Sequence, residues 1–311
     1  MRNLSIIVPC YNEESVINQT AQKLSDTIDL LIALNLASSE SSIYFVDDGS
    51  TDRTWSLIEK LATGSARFHG IKLSRNRGQQ CALFAGMMNA PGDIIVSIDA
   101  DLQDDPDAIQ SMMRAHYAGA DIVYGVRASR NVDSALKRCT ALAYYDLLRL
   151  FGVELVHNHA DFRLLNRRAI DALREYSEVN LFLRGIIPQL GFKTTCVYYE
   201  RKKRERGVSK YRLGDMIALA VDGITSFSTV PLRLITLVGL AIFALSLIIA
   251  LWALSIRLFT SQAIPGWAST VIPMYFIGGI QLFSIGVIGE YISKIYLEAK
   301  RRPRYIIEKI V

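Results

Sequence analysis

The stretch Ile94 to Pro106 reads IIVSIDADLQDDP, and its reading decides the fold. The apolar head, Ile94 to Ile98, suits a buried strand of a parallel sheet, and it ends abruptly in Asp99, Asp101, Asp104 and Asp105. Carboxylates gathered at a strand's end need a cation. Asp-X-Asp spacing lets one divalent ion be held by hard oxygen ligands at the carboxyl edge of an open α/β sheet, where such folds place their ligands. Mg²⁺ or Mn²⁺ suits that chemistry, with a diphosphate supplying further oxygens. The competing reading is an acidic loop that caps the helix after Pro106, and an isolated Asp-X-Asp does not choose between the two.

Working outward, Leu4 to Gly125 alternates apolar runs with helical patterns, which predicts βα units and a mostly parallel sheet. A first strand, Leu4 to Val8, is expected to stop at Pro9, with Tyr11 to Glu14 opening a helix that reaches Asn35. A second strand, Ile43 to Val46, ends in Asp47 and Asp48, and Gly49-Ser50-Thr51-Asp52 forms a turn capping a helix from Thr54 to Ala62. Asp47 reads as the structural cap of that turn. A third strand, Phe68 to Leu73, leads through Asn76, Arg77 and Gly78 into a helix from Gln79 to Asn89. Three strands thus deliver polar residues to one edge, as a nucleotide site requires: a tyrosine ring to stack on a base, an acid to accept from base or ribose, a metal for phosphates. Neither G-x-G-x-x-G nor G-x-x-x-x-G-K-[ST] is present, so the phosphates fall to metal and side chains.

The full chain has 311 residues, 50% of them hydrophobic, enough for one sizeable soluble domain plus something more. Cys10, Cys81, Cys139 and Cys196 have neither metal-ligand nor disulfide spacing, suit a reducing compartment and read as plain core. The segment Met1 to Pro9 is too short and too polar at its flank for a signal peptide, so the first domain is expected to stay in the cytoplasm. His157 and His159, in a loop before Asp161, are spaced like a metal pair, but the acids offer a hard cation a better site; His69 and His116 read as ordinary strand and helix residues.

The apolar excess lies after Leu234. A basic run, Lys202, Lys203, Arg204, Arg206, Lys210 and Arg212, precedes Leu213 to Thr229, whose apolar residues recur with helical spacing, as in an interfacial helix beside anionic head groups. Leu234 to Ile256 carries no charge over 23 residues, and at about 1.5 Å per residue it is long enough for a hydrocarbon core of about 30 Å. A second apolar stretch runs from Val271 to Ile292, where Gly278, Gly279, Gly286 and Gly289 offer surfaces for close helix packing and point to a homo-oligomer. Lys294, Lys300, Arg301, Arg302 and Arg304 follow, against one arginine in the link from Arg257 to Gly266, so both termini are expected in the cytoplasm.

Taken together and in order, Pro9-Cys10-Tyr11-Asn12-Glu13, Val46-Asp47-Asp48-Gly49-Ser50-Thr51-Asp52 and Asp99-Ala100-Asp101-Leu102-Gln103 resemble the amino-terminal signatures of family 2 glycosyltransferases of the GT-A fold. Gly125-Val126-Arg127, Asp161-Phe162-Arg163-Leu164 and Arg204-Glu205-Arg206-Gly207-Val208-Ser209-Lys210-Tyr211 extend the likeness over essentially the whole chain. They resemble the polyprenyl-phosphate branch, which includes dolichol-phosphate mannose synthases and bactoprenol glucosyltransferases. Val208 departs from the acid often found at that place in the branch.

The resemblance implies an α/β, GT-A (Rossmann-like), mostly parallel sheet domain over residues 1–212. An interfacial amphipathic helix over 213–230, two transmembrane helices (234–256 and 271–292) and a basic cytoplasmic tail over 293–311 would follow, in a bacterial inner membrane. It implies that Pro9, Tyr11, Glu13, Val46, Asp48, Asp99 and Ala100 surround a nucleotide sugar; that Asp99, Asp101 and Gln103 hold Mg²⁺ or Mn²⁺; and that Arg127, Arg204 and Lys210 face phosphates. Asp161, with Asp101, is the candidate catalytic carboxylate. A phosphate monoester, with a second pKa of about 6, is largely ionised near neutrality. Asp161 therefore either acts as a base or orients the sugar or a basic partner, and Arg163 either pairs with Asp161 or meets a phosphate. The implied reaction is inverting transfer of one sugar, glucose from UDP-glucose by the likeness of the two-span tail, to undecaprenyl (polyprenyl) phosphate. A mannose or aminoarabinose transferase, a processive polysaccharide synthase and a catalytically silent membrane scaffold are the competing readings. No nucleic-acid partner is expected.

Overall fold

A computed structural model describes residues 2–128, 159–179, 181–200, 228–259 and 266–311. Its elements run β1 (Leu4–Cys10), α1 (Ile17–Ala33), β2 (Ser42–Asp47), α2 (Thr54–Gly64), β3 (Phe68–Leu73), α3 (Gln79–Asn89), β4 (Ile94–Ser97), α4 (Ala108–Tyr117) and β5 (Ile122–Arg127). There follow β6 (His159–Asn166), α5 (Arg167–Arg174), α6 (Leu183–Gln189), β7 (Thr194–Tyr199), α7 (Val230–Phe259), α8 (Trp267–Ala299) and β8 (Ile307–Ile310). The strands form one sheet in the order β7-β5-β6-β4-β1-β2-β3-β8.

Leu4, Ile6, Ile7 and Val8 of β1 and Ile94, Ile95 and Val96 of β4 are wholly buried, the near-continuous apolar run that a strand covered on both faces requires. On one face α1 inserts Ile17, Ala21, Leu24, Ile28 and Leu31, spaced one helical turn apart. On the other, α3 lies close because it carries Gly86, where a Cβ would fall 2.3 Å from Ile7 Cγ2.

β1 pairs in parallel with β2 and β4, as do β2 with β3 and β5 with β7. β6 runs antiparallel to both β4 and β5. That reversal positions the site. Ser97 lies opposite Arg163, so the start of β6 and the end of β4 arrive at the same edge, and Asp161 comes to lie across from Asp99.

The observed elements depart from the expected ones most clearly at the end of β1, the start of α1 and the start of β6. β1 does not stop at Pro9, which pairs in register with Val46. The Ile7 carbonyl accepts from Ile98 N at 3.0 Å on the β4 side, and Pro9, two residues on, faces that same side after β4 has ended at Ser97. Its missing N–H therefore costs no ladder bond. α1 starts at Ile17, because the residues before it form a turn with Asn12 at φ 55°. His159 belongs to β6 and not to a loop, and His157 lies outside the described residues. Of the cysteines read as core, Cys10 is buried, Cys81 is half-buried and Cys196 is exposed on β7; Cys139 lies outside the described residues. His116 is a satisfied interior residue, its Nδ1 2.7 Å from the Ala120 carbonyl and its Nε2 2.6 Å from Arg2.

The described chain forms two units, one carrying the sheet and the other the two long helices. The charge-free stretch 234–256 falls inside α7 and the stretch 271–292 inside α8. Among the described residues, Phe276–Ala299 is the one stretch long and apolar enough by length and composition to cross a membrane. The expected interfacial helix at 213–230 lies outside the described residues but for its last three positions. The final residues do more than trail away as a basic tail. β8 pairs antiparallel with β3, Gly70 and Val311 exchange both backbone bonds (2.8 and 2.9 Å), and Lys309 and Glu308 meet Glu59 and Lys72.

Candidate active site

The first two signature segments form one cross-stitched loop pair beyond β1 and β2. Asn12 Oδ1 accepts from Thr51 N at 2.8 Å, Asn12 N donates to Ser50 Oγ at 3.0 Å, and Glu13 N donates to Thr54 Oγ1 at 2.9 Å. Gly49 sits at φ 71°, and a Cβ there would lie 2.6 Å from Asn76 N, so only glycine fits the turn. Asp47 accepts from Ser50 N at 3.3 Å and caps that turn. Asp48 reaches the next loop, accepting from Arg77 N at 2.7 Å and Gly78 N at 2.8 Å, while burial pushes its carboxyl above the usual range.

Of the residues expected around a nucleotide, Tyr11 is 39% exposed, so its ring is accessible. Pro9 and Glu13 are half-buried beside it. Val46 is wholly buried, its side chain lying where it would meet a Cβ on Gly86. Ala100 is buried too, its carbonyl accepting from Thr20 Oγ1 at 2.7 Å. These last two side chains are packed inside the domain.

Beyond β4 the acids divide. Asp104 is interior and already has its cation: Arg127 Nη2 at 3.1 Å and Nε at 3.3 Å, with Tyr199 Oη donating at 2.6 Å. Burial disfavours the Arg127 charge, but Asp104 more than restores it and the pKa rises. Arg127, expected on phosphates, is thus held by a buried carboxylate. Gly125, two residues before it, admits β6, since a Cβ there would fall 2.8 Å from the Phe162 ring. Asp107 precedes α4 without a side-chain capping bond and pairs with Lys23 at 3.0 Å.

Asp99 and Asp101 differ from Asp104. Asp99 accepts from the neutral Gln79 amide at 2.7 Å, and Asp101 accepts from Gln103 N at 3.1 Å across Leu102, which is held at φ 53°. A left-handed leucine is uncommon and marks a loop held in place by its surroundings. Burial, then the charges of Asp161, Asp104 and Asp101, push the Asp99 carboxyl up to about 7. This donor set fits a hard divalent ion. Among the described residues no three His, Cys, Asp or Glu side chains close on one point; Asp99, Asp101 and the buried Gln103 are oxygen donors of the kind a hard divalent ion takes.

Asp161 is 2% exposed and embedded in donors. Arg163 Nη2 and Arg184 Nε (3.2 Å) reach Oδ1; Arg184 Nη2 (3.0 Å) and Gln80 Nε2 (3.1 Å) reach Oδ2. Arg163 is wholly buried and pairs with Asp161, one of the two roles expected of it. Gln80 also accepts from Leu183 N at 3.2 Å, tying α3 to the start of α6. Arg204 and Lys210 lie outside the described residues. Four residues absent from the sequence-derived set thus serve the site: Gln79, Gln80, Arg184 and Tyr199. The one local signal for them is the pair Gln79-Gln80 directly after Gly78, where a chain entering a helix turns two amides toward the strand ends.

A family model described as glycosyl transferase family 2 matches residues 5–174. An uncharacterized glycosyltransferase of Bacillus subtilis, YkoT, is 48% identical over 307 residues, covering 98% of this chain and 91% of that one. A prophage bactoprenol glucosyl transferase homolog of Escherichia coli is 38% identical over 311 residues, covering 99% of each chain. The bactoprenol glucosyl transferase of Shigella phage SfV is 38% identical over 306 residues, covering 98% of each. Among solved structures, the mannosyltransferase PcManGT from Pyrobaculum calidifontis, in complex with GDP-Man and Mn²⁺, matches with a TM-score of 0.52 at 15% identity, covering 94% of this chain and 87% of that one. That likeness concerns the fold.

Proposed function

Because the chain belongs to glycosyl transferase family 2, we propose that it transfers one sugar from a nucleotide donor, UDP-glucose, to a polyprenyl phosphate at the cytoplasmic face of a membrane, inverting the anomeric centre. The observation that carries this reading is the meeting, at one sheet edge, of the acids that follow β4, among them Asp99, whose carboxyl is pushed up to about 7 by burial and acidic neighbours, with a buried carboxylate held by two arginines (Asp161). One half suits the diphosphate that must leave, the other an anion that must arrive. The names of the relatives from Escherichia coli and Shigella phage SfV support bactoprenol as the acceptor and glucose as the sugar.

Tyr11 would stack on the base, with Pro9, Glu13 and Asp48 beside it. Asp99, Asp101 and Gln103 would hold Mg²⁺ or Mn²⁺, which when bound neutralises charge building on the departing diphosphate. The chain's own part is to keep those two carboxylates in place through Gln79 and the Leu102 turn, and to hold the incoming phosphate in line. Arg204 and Lys210 are retained as phosphate contacts on the strength of the motif.

Both long helices expose apolar side chains, among them Leu237, Leu240 and Ile248 on α7 and Met274, Leu282 and Phe283 on α8, each more than half exposed. Water disfavours such surfaces by about 25 cal/mol per Å², which supports two membrane spans. β8 supports their number. A single crossing would place β8 across the membrane from β3, to which it is hydrogen-bonded.

The test incubates the detergent-purified chain with radiolabelled UDP-glucose, undecaprenyl phosphate and Mg²⁺ or Mn²⁺. An organic-extractable, acid-labile glucolipid is expected. Polymer would establish a processive synthase, and no turnover with a panel of sugar nucleotides would establish a silent scaffold.

A further inference from the structure

Gln79 and Gln80 follow one another at the start of α3 and serve different strands. Consecutive helical residues stand about 100° apart around the axis, so two long side chains there diverge. Gln79 Nε2 donates to Asp99 Oδ1 at 2.7 Å, in the segment after β4, and Gln80 Nε2 donates to Asp161 Oδ2 at 3.1 Å, in the neighbouring β6. The other end of the Gln80 amide is engaged as well, since its Oε1 accepts from Leu183 N at 3.2 Å. A backbone N–H meets only the amide oxygen and an ionised carboxylate only the amide nitrogen, so these two partners fix which way the group points.

The turn that presents both amides is held from two sides. Within α3, Ala82 to Met87 are buried and Gly86 brings the helix against Ile7. Ahead of the turn, the two oxygens of Asp48 accept from Arg77 N and Gly78 N at 2.7 and 2.8 Å, and Gly78 enters the helix at φ 89°. That backbone suits glycine. A Cβ there would meet no atom within 4 Å, so Gly78→Ala strains the turn without a clash. Asp48, on the side expected to receive the base, thus helps to set where both amides lie.

Resting on the functional reading above, we propose that the first turn of α3 aligns the two halves of the site, with Gln79 the positioning residue for Asp99 and the donor's ion, and Gln80 the positioning residue for Asp161 and the acceptor side. Each glutamine acts through the carboxylate it holds and touches no reacting atom. The experiment uses the full-length chain. Mn²⁺-dependent UDP binding is measured by calorimetry, initial rates are measured with UDP-glucose and a polyprenyl phosphate varied separately, and amide exchange in β1 and β4 reports on the fold. Gln79→Met is expected to weaken Mn²⁺-dependent UDP binding about tenfold, as loss of a hydrogen bond to a charged group does, with the acceptor KM within about twofold of the parent. Gln80→Met should do the reverse, raising the acceptor KM about tenfold at nearly unchanged UDP binding. Gly78→Ala should move both constants at once while β1 and β4 keep their protection. Unchanged UDP binding in Gln79→Met, an unchanged acceptor KM in Gln80→Met, equal effects of the two variants on both constants, or a Gly78→Ala effect on one constant alone overturns the proposal while leaving the transferase reading standing. A parent chain that binds UDP and makes no glucolipid overturns the transferase reading and this proposal with it. Gln79 is exposed and Gln80 half-buried, so their variants decide the matter even if Gly78→Ala fails to fold.

Discussion

Asp101 and Asp104 stand three residues apart in one acidic run and call for opposite treatment. Asp104 is buried with Arg127 and Tyr199, so Arg127→Ala strands an uncompensated carboxylate in the interior. Such losses run to about 3–5 kcal/mol. Urea denaturation of the sheet unit should reveal a deficit of that order, and a midpoint equal to the parent's would show that the pair is not stabilising. Asp101 is half-buried in the loop after β4, and Asp101→Asn, which keeps size and shape, is expected to shift the midpoint by no more than about 1 kcal/mol, the usual size of a point substitution. Transfer should nonetheless fall by at least a hundredfold, because the ion loses an anionic ligand. Turnover within tenfold of the parent would remove Asp101 from the site. The sequence shows both acids but not this division. Residues that act within their own loop, such as Asp47 on its glycine turn, can be read locally. Arg127 and Arg184 acquire their meaning from carboxylates 23 positions away in each case, and no local pattern announces such pairings.

Helices and strands built on local periodicity were legible to within a few residues; Phe68–Leu73 and Gln79–Asn89 match their expected bounds. Two elements were not. The reversed direction of β6 has no signature of its own, since an apolar strand reads alike both ways, yet it is what carries Asp161 to Asp99. β8 is four residues, Ile-Glu-Lys-Ile, and it pairs with a strand more than two hundred positions earlier. Its flanking Arg304 donates to the carbonyls of Glu178 (2.7 Å) and Tyr176 and lies 4.4 Å from the Phe84 ring centroid. That contact braces the segment leading to Arg184, so the tail behind the long helices is a structural part of the site. Charged hydrogen bonds of this kind are worth about 1.5–3 kcal/mol. Arg304→Ala should speed amide exchange at Glu175 to Leu183 by tenfold or more while β1 and β4 keep their protection. Equal acceleration everywhere would make Arg304 a contributor to global stability and not a local brace.

At the scale of the whole molecule, the sheet unit holds both the first and the last strands of the described chain, β1 and β8, so the two helices between them leave it and return to it. On the proposed membrane-bound reading such a chain crosses a bilayer an even number of times, with α7 at 30 residues and α8 at 33 as the two passages. The basic residues after α8 favour the cytoplasm for the sheet. Under that proposal the residues between the helices belong on the opposite face, and the protein's own cysteines allow this to be tested. Cys196 is exposed on β7 and serves as the reporter for the sheet unit, while Gly266→Cys, at the foot of α8, reports on the side to which that end of α8 is exposed. In intact bacterial spheroplasts a membrane-impermeant maleimide should label Cys introduced at position 266 and leave Cys196 unmodified until the cells are lysed. Labelling of Cys196 before lysis would place the sheet outside, away from a supply of cytoplasmic nucleotide sugar, and the proposed reaction could not proceed there. Protection of both until lysis would mean that the helices lie on the inner face without crossing, and the acceptor's phosphate would then have to be reached from a re-entrant or surface-bound pair.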